Sequence, residues 1–176
     1  MKHEFIPTPS TNKTKRLATS LFFGGVILFV VGGIKLIPFR SVIQILSLAA
    51  LTASIMLIGR FLLRAYAYRI EDAGEGDELF VDEITRSSRY TVCRMELSKL
   101  VRVTKWEDYS KEERGKKRYN YSPDAFGEGS YVLEFIDSAY DVTAERIRVR
   151  ITPNNTLLEI FENAIKNNTE RGLYEA

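Results

Sequence analysis

The sequence contains little of the chemistry on which most enzymes and metal sites depend. Its 176 residues include one cysteine, Cys93, and one histidine, His3. A single cysteine excludes an internal disulfide and a cysteine-based zinc site, and a lone histidine in a polar tail argues against histidine-based catalysis. The P-loop, GxSxG, HExxH and dinucleotide-binding motifs are absent as well. We therefore expect a protein that is not an enzyme and binds no cofactor or metal.

Charged side chains are also missing from two long stretches near the start of the chain. Residues 17–34 (LATSLFFGGVILFVVGGI) and 41–59 (SVIQILSLAALTASIMLIG) contain none. Each stretch is close to the roughly 20 residues that a helix needs to cross a hydrocarbon layer about 30 Å thick, and a helix satisfies its own backbone there. We therefore predict a transmembrane hairpin over residues 17–63, with helices at about 17–37 and 41–63.

These stretches also lack the ionisable residues that mark an ion or proton pathway, which argues against a pump or carrier. Small residues are spaced four apart in both, and such spacing lets helix backbones approach closely in lipid. We expect these residues to pack the two helices on each other, although they could instead drive homo-oligomerisation. The residues concerned are Ser20, Gly24, Ala49, Ala50, Ala53 and Ser54.

Basic residues flank the hairpin more densely than they occupy its turn. The outer flanks carry Lys13, Lys15 and Arg16 before the hairpin and Arg60, Arg64 and Arg69 after it, whereas the turn carries only Lys35 and Arg40. By the positive-inside rule, we expect a multi-pass protein of the cell membrane with both termini cytoplasmic.

The first apolar run is too long for a signal peptide and no A-x-A-like site follows it, so we expect it to stay uncleaved. Residues 1–16 are polar and contain two prolines, which predicts a disordered tail.

After the hairpin, apolar and polar residues alternate, which is typical of β-strands. We predict strands at about 65–70, 79–85, 90–95, 100–106, 131–137 and 145–152, with a long polar loop over 107–130. Thr156 and Glu159 form a capping box that opens a helix. Apolar residues follow at helical spacing up to Lys166, and residues 169–176 form a C-terminal tail.

Two basic segments of this domain are candidate contacts for anionic lipid or for a protein partner. One is Lys111, Arg114, Lys116, Lys117 and Arg118 in the loop, and the other is Arg146, Arg148 and Arg150 along one strand face. Lysine and arginine near an anionic leaflet each contribute roughly 1 kcal/mol of binding. The loop could equally be a solvated segment, and the strand arginines could form a wet face paired with Glu134 or Asp137.

The charges argue against nucleic acid as a partner. Of 25 Lys and Arg and 23 Asp and Glu residues, six bases and one acid precede Arg60, which leaves 19 bases and 22 acids from that residue onward. A general nucleic-acid binder requires a dominant basic surface, and the domain after the hairpin is slightly acidic.

Several segments after the hairpin share their pattern of residue types with one known kind of domain. They are Tyr68–Ile70, Leu79–Asp82, Cys93–Val103, and Ile151–Pro153 leading into the Thr156–Lys166 helix. In this pattern most of residues 60–168 resemble a bacterial pleckstrin-homology-like (PH-like) domain tethered behind two transmembrane helices. The resemblance implies a bent antiparallel sheet or small β-barrel closed by a C-terminal helix. It implies no enzymatic activity.

The sequence thus predicts a membrane α-hairpin followed by an α+β, mainly β, PH-like domain at 64–168. We expect a non-enzymatic protein-interaction or scaffold module at the cytoplasmic membrane face, with membrane lipids and a protein as partners and homo-oligomerisation left open. One alternative is a sensor of anionic lipid head groups that acts through residues 111–118. Another is an accessory subunit of a transporter or of an envelope-stress complex.

Overall fold

A computed structural model of the chain describes residues 3–9, 12–34, 39–74, 76–109, 118–136 and 146–170. The chain divides into two compact units. The helical unit comprises residues 11–64 together with Asp124–Phe126, and the β-sheet unit comprises residues 1–10, 65–123 and 127–176.

The helical unit contains two long apolar helices. Helix α1 spans Lys13–Gly32 and helix α2 spans Arg40–Leu57, continuing as one π-helical stretch over Ile58–Leu62. Both are long and apolar enough to cross a membrane, so the prediction of two apolar helices is confirmed. The first helix begins and ends earlier than the predicted 17–37, since Lys13, Lys15 and Arg16 join it as its first turn. Of the predicted turn, residues 35–38 lie outside the described part of the chain.

The first sheet of the β-sheet unit is antiparallel and contains four strands. They are β1 (His3–Phe5), β2 (Ala65–Asp72), β3 (Asp77–Ile84) and β4 (Arg89–Glu96), paired in that order. The prediction of a disordered tail is wrong for His3–Phe5, because β1 adds to the edge of β2 with Glu4 opposite Arg69. Phe5 also lies 6.4 Å from the Tyr68 ring, and Glu4 forms an ion pair with Arg89 at 2.6 Å.

The second sheet contains β5 (Leu100–Lys105), β6 (Tyr119–Asn120), β7 (Tyr131–Ile136) and β8 (Arg146–Ile151). Its strand order is β5-β7-β8-β6, and β6 runs parallel to β8. All six predicted strands are present, whereas β1 and β6 were not predicted. The described strands thus form an antiparallel sheet and a second, mixed sheet, and no closed barrel, whereas we expected a bent antiparallel sheet or a small barrel closed by the C-terminal helix. A 3₁₀ helix, Leu97–Lys99, joins β4 to β5.

Helix α3, Asn155–Glu170, is the C-terminal helix that the sequence predicted. Its cap differs from the predicted one, because the Oδ1 atom of Asn154 accepts a hydrogen bond from the backbone N–H of Leu157 at 2.9 Å. Asn154 therefore satisfies a donor of the first turn, which is the role of an N-cap, and Thr156 lies inside the helix.

The two sheets and α3 share one hydrophobic core. Alternate residues of β2 and β3, such as Tyr68 and Leu79, meet Leu133 and Val149 of the second sheet and Phe161 of α3. The hydroxyl of buried Tyr68 also joins two segments of this unit. It donates to the carbonyl of Tyr121 at 2.9 Å and accepts from the backbone N–H of Thr152 at 3.1 Å.

Two neighbouring leucines of α3 test this arrangement. Leu157 is fully buried in the core, whereas Leu158 is half-buried and outside it. We expect Leu157→Ala to lower the free energy of unfolding of the β-sheet unit by about 2–5 kcal/mol through lost burial and a cavity. Leu158→Ala makes the same change in helix propensity and is expected to cost about 1 kcal/mol or less. Urea unfolding of the full chain in detergent micelles, followed by the fluorescence of Trp106, measures both. Equal losses would contradict the placement of α3.

Candidate functional site

The three arginines of β8 lie on the face of the second sheet opposite the core, because Ile147, Val149 and Ile151 take the inward positions. Two of them bind one carboxylate. Arg146 Nη1 lies 3.2 Å from Glu134 Oε2, and Arg148 Nε lies 3.1 Å from Glu134 Oε1. Glu134 stands directly opposite Arg148 on β7. This pairing corresponds to the alternative in which the strand arginines are neutralised across the sheet. Asp137, the second acid considered, lies outside the described residues.

Glu134 is the centre of this cluster, although only 1% of its surface is exposed. Burial by itself would raise its pKa, but hydrogen bonds from the Tyr109 hydroxyl, at 2.5 Å, and from Arg148 outweigh burial and lower it. Burial and the neighbouring carboxylate raise the pKa of Tyr109 to about 12. The cluster is thus an ionised carboxylate held by three donors, and it leaves Arg148 little capacity for an external anion.

Arg150 differs from the prediction of an outward, solvated side chain, because only 3% of its surface is exposed. Its Nε donates to Ser130 Oγ at 2.9 Å, and its guanidinium carbon lies 4.4 Å from the centroid of the Trp106 ring. Arg118 lies at the same distance from that ring. Aromatic rings attract guanidinium groups, so Trp106 and the segment around Ser130 bury Arg150 in the structure.

Of the predicted basic loop, only Arg118 lies in the described part of the chain, where it contacts Trp106. Lys111, Arg114, Lys116 and Lys117 lie outside the described residues. A contact between this loop and lipid or a partner therefore stays a prediction.

The first sheet carries a similar polar cluster that sequence analysis missed. Buried Asp82 accepts hydrogen bonds from Arg89 Nη2 at 2.8 Å, Thr91 Oγ1 at 2.7 Å and Arg69 Nε at 3.3 Å. Burial would raise the pKa of Asp82, but these donors lower it overall. Arg94 binds Glu78 on the same sheet, with Nη2 2.9 Å from Oε1. The available signal was the presence of opposite charges on consecutive predicted strands, which pair across a sheet.

Cys93 is half-buried on β4 and packs against the core. Burial raises the pKa of its thiol to about 11, so the reactive thiolate form is scarce near neutral pH. Among the described residues, no group of three or more His, Cys, Asp or Glu side chains could hold a metal ion.

The described part of the β-sheet unit contains a groove of about 640 Å³, which we call the α3 groove. It lies between α3, the 3₁₀ helix and the turn that joins β2 to β3. Leu97, Ile160 and Ala164 supply its apolar part. Polar side chains complete the lining: Asp72, Asp77, Ser98, Asn163, Asn167 and Asn168.

Asn168 fixes one side of the α3 groove. Its buried carboxamide nitrogen donates to the carbonyls of Leu97 and Leu100, at 2.9 and 3.0 Å. These bonds hold the last turns of α3 against the 3₁₀ helix, so the groove is pre-formed. Sequence analysis missed the groove because its walls come from segments about 70 and 90 residues apart.

In the helical unit, seryl hydroxyls and glycines make the contact between the two helices. Ser54 Oγ donates to the carbonyl of Ala18, and Ser47 Oγ to that of Gly25, both at 2.8 Å. A Cβ atom at Gly25 would lie 2.8 Å from Leu51 Cγ. The contact residues Ala18 and Gly25 are seven apart, as are Ser47 and Ser54, which keeps each pair on one helix face.

The six residues predicted to pack the hairpin lie in different places. Ser54 is in the helix contact, Ala50 and Ala53 are half-buried, and Ser20 and Ala49 are exposed. At Gly24, no atom of a neighbouring group lies within 4 Å of the position that a Cβ would take. The repeat of small residues at seven, rather than four, was the signal for the contact face.

Two glycines near Arg150 provide a matched pair of substitutions. Gly127 and Gly129 both have positive φ, of +82° and +68°. A Cβ at Gly127 would overlap the Arg150 guanidinium and lie 2.6 Å from Trp106 Cδ1, whereas nothing lies within 4 Å at Gly129. We expect Gly129→Ala to lose only about 1 kcal/mol through backbone strain. Gly127→Ala should lose about 3 kcal/mol or more, because it also displaces Arg150. Urea midpoints of the two variants test this difference, and similar midpoints would contradict the burial of Arg150.

The Glu134 cluster predicts a specific dependence of stability on pH. Because folding lowers the pKa of Glu134, the unfolded state takes up its proton first as the pH falls. Stability from this group is therefore full above about pH 5 and is lost as the pH falls towards the lowered pKa of the folded state. We expect Glu134→Gln to be destabilised by about 3 kcal/mol at pH 7, and to lose less further stability than the wild type between pH 7 and pH 4. Glu159→Gln, at an exposed position of α3, is the control and should behave as the wild type does. An unchanged pH dependence in Glu134→Gln would rule out the lowered pKa.

Comparison of the chain with protein-family models, with curated proteins and with solved structures finds no match.

Proposed function

We propose that the chain is a non-enzymatic, membrane-anchored binding protein. In this proposal, α1 and α2 hold the chain in a bilayer, and the β-sheet unit docks a segment of a protein partner in the α3 groove. The observation that carries the proposal is the apolar outer surface of the two helices.

The side chains that α1 and α2 expose are large and apolar. Phe23, Ile27 and Ile45 have 61%, 62% and 68% of their surfaces exposed. Only 17% and 11% of the most apolar windows of the two helices are buried, so these helices are unlike the core helices of a water-soluble domain. Contiguous apolar surface of this kind is unfavourable in water, and lipid removes it from water.

The ionisable groups of the β-sheet unit favour binding over catalysis. General acids and bases work best when their pKa lies near the working pH. Here the pKa values of Asp82 and Glu134 are lowered by their donors, and those of Cys93 and Tyr109 are raised to about 11 and 12. These shifts move each group further from neutrality, which suits structural roles.

The α3 groove supports the binding role. Its volume of about 640 Å³ falls within the range of ordinary ligand sites. Apolar side chains such as Ile160 and Ala164 would receive an apolar side chain of the partner, and the carboxylates Asp72 and Asp77 favour a partner with a basic residue nearby.

The finer assignments are also proposals. The assignment to PH-like domains is supported in outline by the two sheets and the C-terminal helix. The parallel pairing of β6 with β8 departs from an antiparallel sheet. The basic flanks at Lys15, Arg16, Arg60 and Arg64 favour cytoplasmic termini. The alternatives, a lipid sensor acting through residues 111–118 and an accessory subunit of a larger membrane complex, stay predictions.

The proposal has two parts, membrane anchoring and partner binding, and cells that express the full chain allow both to be tested. We expect the full chain to remain in the membrane pellet after alkaline carbonate extraction, because apolar helices hold it there. We also expect a photocrosslinking side chain at Asn163, in the α3 groove, to capture one discrete partner in cells. The same probe at Glu159, on α3 outside the groove lining, is the matched control. Ala164→Arg, which fills the groove, should abolish capture from Asn163.

Release by carbonate would contradict the membrane anchor. Equal capture from positions 159 and 163, or capture that persists in Ala164→Arg, would contradict the groove. The urea midpoint of Ala164→Arg confirms that the variant is folded.

A further inference from the structure

A second cavity, shallow and widely open, lies on the exposed side of α1, at the end where the helix begins. Its volume is about 430 Å³, and its lining is Asn12, Lys15, Arg16, Thr19, Ser20 and Phe23. The residues from Asn12 to Phe23 recur at steps of three or four, so they share one side of the helix. The cavity is separate from the contact between the two helices, because that contact uses other residues of α1, such as Ala18 and Gly25.

The chemistry of the lining changes in order along the helix axis. Two cations, Lys15 and Arg16, come first, and the hydroxyls of Thr19 and Ser20 follow one turn later. Phe23 lies at the far end, roughly 11 Å along the axis from Lys15 and Arg16 at 1.5 Å per residue. Helix α1 itself contains no acidic side chain. The carboxylate of Asp124 lies at the same end of the helix, where it accepts a hydrogen bond from buried Thr14, but it is not part of the cavity lining. The charged groups of the lining are both cations, so the cavity favours an anion.

C-terminal to the cavity, the same side of α1 presents an exposed apolar surface. Gly24 has no neighbouring group within 4 Å of its absent side chain. Phe23 and Ile27 beside it are both mostly exposed. An acyl chain could therefore lie against the helix at Gly24 between larger side chains, where dispersion contacts are available.

We propose that this cavity binds one anionic glycerophospholipid of the surrounding bilayer. Lys15 and Arg16 bind the phosphate, the hydroxyls of Thr19 and Ser20 donate to phosphate or ester oxygens, and one acyl chain follows Phe23 and Gly24. The proposal rests on the membrane insertion proposed above. It also gives a role to Ser20 and Gly24, two of the predicted packing residues that the helix contact does not use.

The test uses the purified full chain in detergent micelles, with phosphatidylglycerol and phosphatidylcholine as probes and native mass spectrometry as the readout. We expect one retained phosphatidylglycerol and no comparable retention of phosphatidylcholine. Lys15→Gln/Arg16→Gln should weaken the retention of phosphatidylglycerol about tenfold or more, because each cation near a head group contributes roughly fivefold. The matched control is Arg60→Gln/Arg64→Gln, which removes the same charge from the other basic flank and should change retention less than about twofold.

Three results would overturn the lipid site. Equal retention of the two lipids would remove its selectivity, and equal weakening in the control would show that bulk charge alone acts. Displacement of the lipid by an equal concentration of inorganic phosphate would show a site for a free anion. These results differ from a failure of the proposed function, in which carbonate extracts the protein from membranes. A protein that resists extraction but retains both lipids equally loses only the lipid site.

Discussion

The large apolar surface of α1 and α2 limits the surroundings in which this chain can be stable. The two helices cover little of each other, since their contact consists of small groups such as Ala18, Gly25 and Ser47. Such a contact brings backbones close but leaves the large side chains outside. Hydroxyl-to-carbonyl bonds and close packing stabilise helix pairs in lipid, where no hydrophobic force drives association. The exposed apolar surface of the helix pair follows from the way its helices pack, and the proposed insertion in a bilayer would remove that surface from water.

The β-sheet unit solves the opposite problem, because it must bury a core while its outer faces carry many charges. It neutralises those charges internally. Glu134 is bound by Arg146, Arg148 and Tyr109 on one sheet, and Asp82 by several donors on the other. Arginines that the sequence suggests as ligand contacts, such as Arg146 and Arg148, are therefore paired with a buried carboxylate of the same unit. The α3 groove keeps open polar and apolar surface together, which is why we place partner binding there.

Local patterns in the sequence predicted the elements, and contacts distant in sequence determined what the predictions missed. The absence of charge located both long helices, and alternation located six strands, because both signals lie within the element concerned. Strand β1 was missed because three residues of a polar tail become a strand only beside the free edge of β2. Arg150 was expected in solvent because its cover, Trp106 and Ser130, comes from other segments. The α3 groove likewise depends on how α3 docks beside a turn formed far earlier in the chain.

Spin labels measure directly whether lipid or water surrounds the outer faces of α1 and α2. In a Cys93→Ser background, nitroxide labels are placed singly at Ile27 and Ile45, two exposed positions of the helices, and at Glu159 of α3 as a control. Collision rates with oxygen and with a water-soluble nickel chelate are then compared in liposomes. We predict that oxygen, which concentrates in lipid, dominates at Ile27 and Ile45, and that the nickel chelate reaches Glu159. Ready access of the nickel chelate to Ile27 and Ile45 would contradict this prediction.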